Sequence, residues 1–377
     1  MRSLLLLALY IGLDSLCKLV PVRRRDVVVV VRLDAIGDFF VWMQSGALDV
    51  SEYAKRDGRK AVLVANHLWA DYARGTRLWD EVLAVDPGRL TRDMWYRLAS
   101  FVRVRRLGAR VLIQPRASRI FRQEDAIARI SGADLRIGNA GTLANITPRL
   151  RVFGNRFYER LIRVDETGTV HETVRNDQFV FGLTGRHSMP FEFSATAAPP
   201  RDPSVVIALG AGHVGRIWPV EKLALLLQHL RSRYPTLRIV LLGTEADLSM
   251  GGWLQQLSGG GLEDLVGKTS LQEYVELIAA ASLVICNETS AYHIAMSFRR
   301  NVVCLLGGGH YGLFAPYPAG RGSDRAITLN VPMDCFGCNW KCKYPPEPNG
   351  AYRCVASISV DSAIRASDEM LEQARGL

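Results

Sequence analysis

The sequence predicts an α/β protein with parallel sheets, divided between two domains. Three observations carry this. Strand-like apolar runs alternate with amphipathic helical patterns along most of the 377 residues, as in chained strand–helix–strand units. A chain of this length suits two domains of ordinary size. The stretch SATAAPPRDP at 194–203 separates the two series, because Pro199, Pro200 and Pro203 continue neither a helix nor a central strand. The expected layout is an N-terminal hydrophobic or amphipathic helix (1–25), a first Rossmann-like domain (26–195), and a second one (196–377) that ends in a Cys-rich segment and a terminal helix.

The elements follow in order. VVVVVRL (27–33) reads as a buried strand, followed by a helix through Val41–Tyr53. KAVLVA (60–65), EVLAV (81–85) and RVLIQ (110–114) are further strands, the last preceded by a helix over Arg92–Arg106. In the second series SVVIALGAG (204–212) runs from a strand into a glycine turn. PVEKLALLLQHLRSRY (219–234) has helical apolar spacing, with Pro219 at its start. RIVLLG (238–243), LVICN (283–287) and NVVCLLGGG (301–309) read as buried strands, with helices beginning near Asp247, Ser270 and Ser290.

Composition is that of a globular chain, with 48% apolar and 22% charged residues. The net charge of +10 is uneven. Arg97 to Arg163 holds fifteen arginines, no lysine and four carboxylates, a local charge of +11. An arginine field fits bidentate contacts to phosphate or carboxylate, or else a solvated helix face. Without a helix-turn-helix, zinc-finger or RNA-binding signature, nucleic acid is not an expected partner.

The N-terminal run Leu4–Leu13 is too short to span a bilayer and is followed by Asp14 and Lys18. No small-x-small cleavage site precedes the first strand. A helix that packs on its domain, or lies on the inner leaflet with Arg23–Arg25 toward headgroups, is expected. The expected location is the cytoplasm or the cytoplasmic face of the inner membrane.

Ligands in open parallel sheets sit beyond the carboxyl ends of the strands, so the strand-end loops are the places to look. RLDAIGDFF offers Asp38 either as a helix N-cap or as a carboxylate that takes a proton from an attacking hydroxyl. Arg32 and Asp34 beside it either shape the turn or touch an acceptor, and Arg116 and Arg119 are further acceptor-binding candidates. LGAGHVGRIWP (209–219) carries Gly210, Gly212 and Gly215, which permit close approach of an anion, with Arg216 beside them. In LLGTEADL (241–248), Glu245 can take both hydroxyls of a ribose or simply start a helix. VICNETSAYHIAMSF (284–298) places Asn287, Glu288, Thr289 and Ser290 between a strand and a helix, with His293 one turn in, and is the most polar of the set. LLGGGHYGLFAPYP (305–318) combines three glycines with His310 and aromatic residues, a loop able to lie against a base or sugar.

Taken together, these loops resemble glycosyltransferase family 9, the ADP-heptose:lipopolysaccharide heptosyltransferase group, over roughly residues 26–375. VRLDAIGDFFVWMQS is similar to the family's opening strand, Gly-Asp and helix. GRIWPVEKL resembles its K-x-W-P segment, with Arg216 at the basic position. GTEADL matches the ribose-holding segment, and NETSAYHIA resembles N/V-D-T-G-x-x-H-L-A, with Glu288 and Ser290 standing where aspartate and glycine are usual. The resemblance implies a GT-B fold with a central cleft. It implies inverting transfer of a heptose-like sugar from a nucleotide-diphosphate sugar to a lipopolysaccharide or other anionic glycan acceptor. It makes Asp38 the general base. Gly210, Gly212, Arg216, Glu245, Glu288, Thr289, Ser290 and His293 become donor-binding residues. Arg216 and the N–H groups of the helix starting near Ser290 would stabilise the leaving diphosphate, so no metal or other cofactor is expected.

Of seven cysteines, Cys17, Cys286 and Cys304 lie in apolar segments and read as small buried hydrophobes. Cys335, Cys338, Cys342 and Cys354 form C-x2-C-x3-C-x11-C, a spacing open to structural metal, disulfides or free thiols. The segment resembles a Cys-rich tail of some members of the same family. Two other functions fit the same architecture: a nucleotide-sugar epimerase, and an inactive sugar-nucleotide-binding protein of envelope assembly. A nicotinamide oxidoreductase is disfavoured, since no glycine fingerprint follows Val31.

Overall fold

The computed structural model of the chain describes residues 2–193 and 204–375. The linker expected at 194–203 lies outside the described residues. The chain forms two compact units. One comprises Met1–Thr167 and Thr173–Phe191, the other Gly168–Glu172 and Glu192–Leu377.

The first unit contains β1 (Val27–Arg32), β2 (Lys60–Asn66), β3 (Glu81–Val85), β4 (Val111–Gln114), β5 (Leu135–Asn139) and β6 (Arg160–Ile162). They pair in the order β3-β2-β1-β4-β5-β6, all parallel. β1 is central and its valines are fully enclosed, as expected for a strand covered on both faces. The single helix expected through Val41–Tyr53 is two, Ile36–Met43 and Ala47–Lys55. The chain breaks at Gln44–Gly46, where Gln44 caps the first helix and Gly46 is the N-cap of the second.

The second unit contains β7 (Ser204–Ala208), β8 (Arg238–Leu242), β9 (Glu263–Asp264), β10 (Leu283–Asn287), β11 (Asn301–Leu305) and β12 (Ala326–Leu329). Their order is β12-β11-β10-β7-β8-β9, again all parallel. Counted from its own first strand, this is the order of the first sheet. In each unit the order therefore reverses beside the first strand, next to the fourth, and opens a switch point at the carboxyl ends of those two strands. Helices begin where expected: Leu271–Ala280 has Ser270 and Glu273 in a reciprocal capping box, and Ser290–Ser297 follows β10 directly.

The N-terminal helix, Arg2–Leu16, belongs to the first unit. Asp14 is buried and accepts two hydrogen bonds from Arg97, of 2.6 and 2.7 Å, and one of 2.6 Å from Arg129. No helix among the described residues is long and apolar enough to cross a membrane.

The arginine field is divided: seven of its fifteen arginines are exposed, as a solvated face would have them, while four are internal, a role outside the two expected ones. Arg97, Arg116, Arg119 and Arg129 are buried. Arg105 donates to the carbonyls of Lys18, Val20 and Ile130. Guanidinium groups here satisfy carbonyls and carboxylates that burial would otherwise strand.

Candidate functional site

At the switch point of the first unit, the turn after β1 is held by neighbours. Asn66, at the end of β2, donates to the carbonyls of Leu33 (3.2 Å) and Asp34 (2.9 Å), and the Trp69 indole donates to the latter at 2.9 Å. Arg32 Nε lies 2.7 Å from Asp34 Oδ2, with both side chains buried. The Arg32 guanidinium stacks 5.1 Å from the Trp42 ring centroid. From beyond β4, Arg116 pairs with Glu124 at 2.7 Å and approaches Asp34 at 3.8 Å. Burial alone would push the Arg116 guanidinium down. The carboxylates of Glu124, Asp34 and Asp38 reverse this and hold it charged, above its ordinary value.

Asp38 is the third residue of its helix. The N-cap is Ala35, which makes no side-chain cap, so the capping role open to Asp38 in the sequence does not apply. The residue is partly exposed. Glu124, which sequence reasoning passes over, completes the cluster: its second oxygen accepts from the Ile120 amide at 2.8 Å. Its signal is an acidic pair, Glu124–Asp125, in an otherwise arginine-dominated stretch.

Two acceptor-binding expectations are corrected. Arg119 is fully enclosed; its guanidinium contacts Asn155 and lies 3.4 Å from Asp125. Asp125 in turn accepts from the Tyr158 hydroxyl at 2.9 Å. Arg32 is also fully enclosed and builds the turn. Neither presents a charge to an incoming molecule.

In the second unit, the loop after β7 and the loop after β10 meet at the corresponding switch point. Arg216 Nη2 donates to the Glu288 carbonyl (2.6 Å) and to its carboxylate (2.9 Å). Arg216 Nε is buried without a hydrogen bond. Burial pushes the Glu288 carboxyl up, but His310 and the Arg216 charge more than offset it and hold Glu288 below its ordinary value. Asn287 acts as a clamp. Its oxygen accepts from the Trp218 amide at 3.0 Å and its nitrogen donates to the Leu209 carbonyl at 3.0 Å.

Thr289 is the N-cap of Ser290–Ser297, with no side-chain cap bond. His293 is buried one turn in, with Nδ1 3.2 Å from the Tyr317 hydroxyl. Burial pushes this imidazole down to about 3, so it is neutral at working pH. Glu245 is exposed just beyond β8. The buried carboxylate of that loop is instead Asp247, whose Oδ2 accepts from the Thr244 amide (2.8 Å) and hydroxyl (2.9 Å).

The glycines divide by what surrounds them. A Cβ at Gly210 would meet the Asp247 carboxylate and one at Gly215 the Tyr352 ring, so these two admit parts of the protein itself. Gly212 differs: its φ is +67° and the space beside it is open. The triple glycine after β11 is corrected too. A Cβ at Gly308 would overlap Phe336, and one at Gly307 or Gly309 would overlap Trp340. The Cys-rich segment occupies the room that the sequence suggested for a base or sugar. No disulfide joins its four cysteines or the other three. Cys335 feels burial first and then Cys338 and Cys342, all of which raise its thiol. Among the described residues, no three or more His, Cys, Asp or Glu side chains are gathered as a metal site.

Two parallel six-stranded α/β units of this strand order are the architecture of the GT-B fold. Residues 185–334 match the model of glycosyltransferase family 9 (heptosyltransferase), so this part of the chain is similar to that family. No curated protein sequence matches the chain.

Solved structures share the fold over nearly the whole chain. E. coli ADP-heptose lps heptosyltransferase II is 15% identical, with 93% of this chain and 99% of that one covered and a TM-score of 0.66. The glycosyl transferase family 9 protein of Veillonella parvula is 17% identical, with 92% and 97% covered and a TM-score of 0.68. E. coli heptosyltransferase WaaC with ADP is 16% identical, with 91% and 99% covered and a TM-score of 0.67. At these identities the likeness establishes the fold.

Proposed function

We propose that the protein is an inverting glycosyltransferase that moves a heptose-like sugar from a nucleotide-diphosphate donor to a lipopolysaccharide or other cell-surface glycan acceptor. The observation that carries this reading is the pairing of Arg216 with Glu288 at the second switch point, within the region that matches the family. Arg216 and the amides at the start of Ser290–Ser297 stabilise the charge that develops on the leaving diphosphate. Gly212 lets the chain turn beside it. Glu245 takes the ribose, and Thr289, Ser290 and neutral His293 complete the donor set. In the first unit Asp38 takes the proton of the attacking acceptor hydroxyl and Arg116 binds the acceptor, while Asp34, buried against Arg32, shapes the turn. The mechanism assigns no step to a metal. E. coli WaaC is solved with ADP and with ADP-2-deoxy-2-fluoro heptose, which supports an adenosine diphosphate donor.

The acceptor side lies at a membrane surface in this reading. The N-terminal helix and the turn after it leave Leu9, Leu16 and Leu19 exposed. The helix Met94–Arg106 exposes Trp95, at 83%, and Arg103 and Arg106 are exposed further along it. Apolar side chains beside cationic ones suit the headgroup region of an anionic leaflet.

The test is consumption of donor. The protein is incubated with a panel of nucleotide-diphosphate sugars and a lipid-core extract, and released nucleoside diphosphate is measured. Acceptor-dependent release from one donor is expected. Binding of no donor sinks the transferase reading, and interconversion of the sugar without acceptor would make the protein an epimerase.

A further inference from the structure

The Cys-rich segment has no part in the chemistry described so far, yet it packs against the donor-side cluster. The Trp340 ring lies under the Arg216 guanidinium, 4.6 Å from centroid to Cζ. It stacks on Tyr352 at 5.9 Å and 22°, and meets His310 edge-on at 5.6 Å. The neighbouring Asn339 places its side-chain oxygen 2.9 Å from His310 Nε2. The other ring nitrogen of His310 is 3.8 Å from Glu288 Oε2. Both members of the Arg216–Glu288 pair therefore have a support that comes from one dipeptide.

That dipeptide is held in an unfavourable backbone conformation. Asn339 and Trp340 have φ of 50° and 60°. Asparagine tolerates this region, but a bulky residue such as tryptophan rarely enters it. Such strain persists where surrounding structure over-determines it, and it concentrates at functional sites. The indole is not held by its own hydrogen bond either, since Trp340 Nε1 is buried without a partner. Its ring faces hold it in place, and Gly307 and Gly309 leave the room they need.

We propose that Trp340 and Asn339 are positioning residues of the donor-diphosphate site: the indole fixes the plane of the Arg216 guanidinium, and the Asn339 side chain fixes the His310 ring beside Glu288. A guanidinium stacked on an aromatic face keeps its N–H edge free for an anion while losing rotational freedom. Preorganisation of this kind lowers the cost of binding. The Cys-rich segment thus serves the reaction through Trp340 and Asn339. The proposal rests on the reading of Arg216 and Glu288 as donor-binding groups.

The experiment is titration calorimetry with ADP, GDP, UDP and CDP, together with donor KM and kcat, on the full chain. Trp340→Leu keeps apolar bulk but removes the ring. Trp340→Phe restores a ring. Asn339→Gly suits the positive φ and removes the side chain, and circular dichroism checks each fold. Trp340→Leu is expected to weaken diphosphate binding at least fivefold and to raise donor KM more than it lowers kcat. Trp340→Phe should recover most of this, and Asn339→Gly should weaken binding by a smaller factor. Wild-type binding that Trp340→Leu leaves unchanged, or that Trp340→Phe fails to restore in a folded variant, overturns the proposal alone. A wild type that binds none of the four diphosphates and consumes no nucleotide sugar overturns the donor-site reading and this proposal with it.

Discussion

Arg216 holds Glu288 through two hydrogen bonds from a single nitrogen, one to the backbone carbonyl at 2.6 Å and one to the carboxylate at 2.9 Å. The pair joins the loop after β7 to the loop after β10, and leaves Arg216 Nε without a hydrogen bond. A charged donor so placed gains most from an anionic oxygen. Arg216→Ala is expected to weaken binding of the nucleotide diphosphate by about 1.5–3 kcal/mol, roughly ten- to a hundredfold. Calorimetry checks this, and unchanged affinity would remove Arg216 from the donor site.

Asp38 faces the same question on the first unit. It stands in the first turn of Ile36–Met43 rather than at the cap, and its charge acts on Arg116. Asp38→Asn keeps the shape and removes the base. Donor affinity should stay within about twofold while kcat falls by roughly 10²–10⁴, the usual range for loss of a general base. Pre-steady-state turnover with saturating donor reads the effect directly. Retained activity would show that another group takes the proton.

Asp14 anchors the N-terminal helix from inside. Three short hydrogen bonds from Arg97 and Arg129 surround its carboxylate. Asp14→Ala leaves two buried guanidinium groups without their counter-charge, and should cost about 3–5 kcal/mol of stability. Urea unfolding monitored by circular dichroism gives the value. A loss below about 1 kcal/mol would mean that the cluster relaxes or hydrates freely.

His293 predicts the acid side of the stability curve. Burial holds its imidazole down at about 3 in the folded chain, below the ordinary histidine value of about 6.5. The folded state therefore binds the proton less readily than the unfolded state. The stabilisation is full above about pH 6.5 and is lost as pH falls toward 3. His293→Gln does not titrate, so the melting temperature of the wild type should fall relative to this variant between about pH 6.5 and 4. A constant difference across that window would place the imidazole in a wetter setting.

Much of the architecture is legible along the chain because it is local. The central strands β1, β7, β10 and β11 are short apolar runs bounded by turn residues, and each begins at the residue its pattern predicts. Four strands escape such a reading. β9 is two acidic residues, β5 carries Arg136 between its apolar positions, and β6 is three residues that begin with Arg160. β12 is a half-buried edge strand of four residues. Their pairing comes from the neighbouring strand rather than from their own pattern.

The sequence by itself determined the alternation of strands and helices and the strand-end loops that hold Asp38, Arg216, Glu245 and Glu288, since both follow from patterns a few residues long. The tertiary structure alone decided what those residues touch. It turned Arg32 and Arg119 inward, set Glu124 against Arg116, paired Arg216 with a residue 72 positions away, and laid Trp340 on the same guanidinium. The physical reason is the strand order. Which carboxyl ends stand side by side depends on how the whole sheet is assembled, and a buried charge finds its partner only once that order exists.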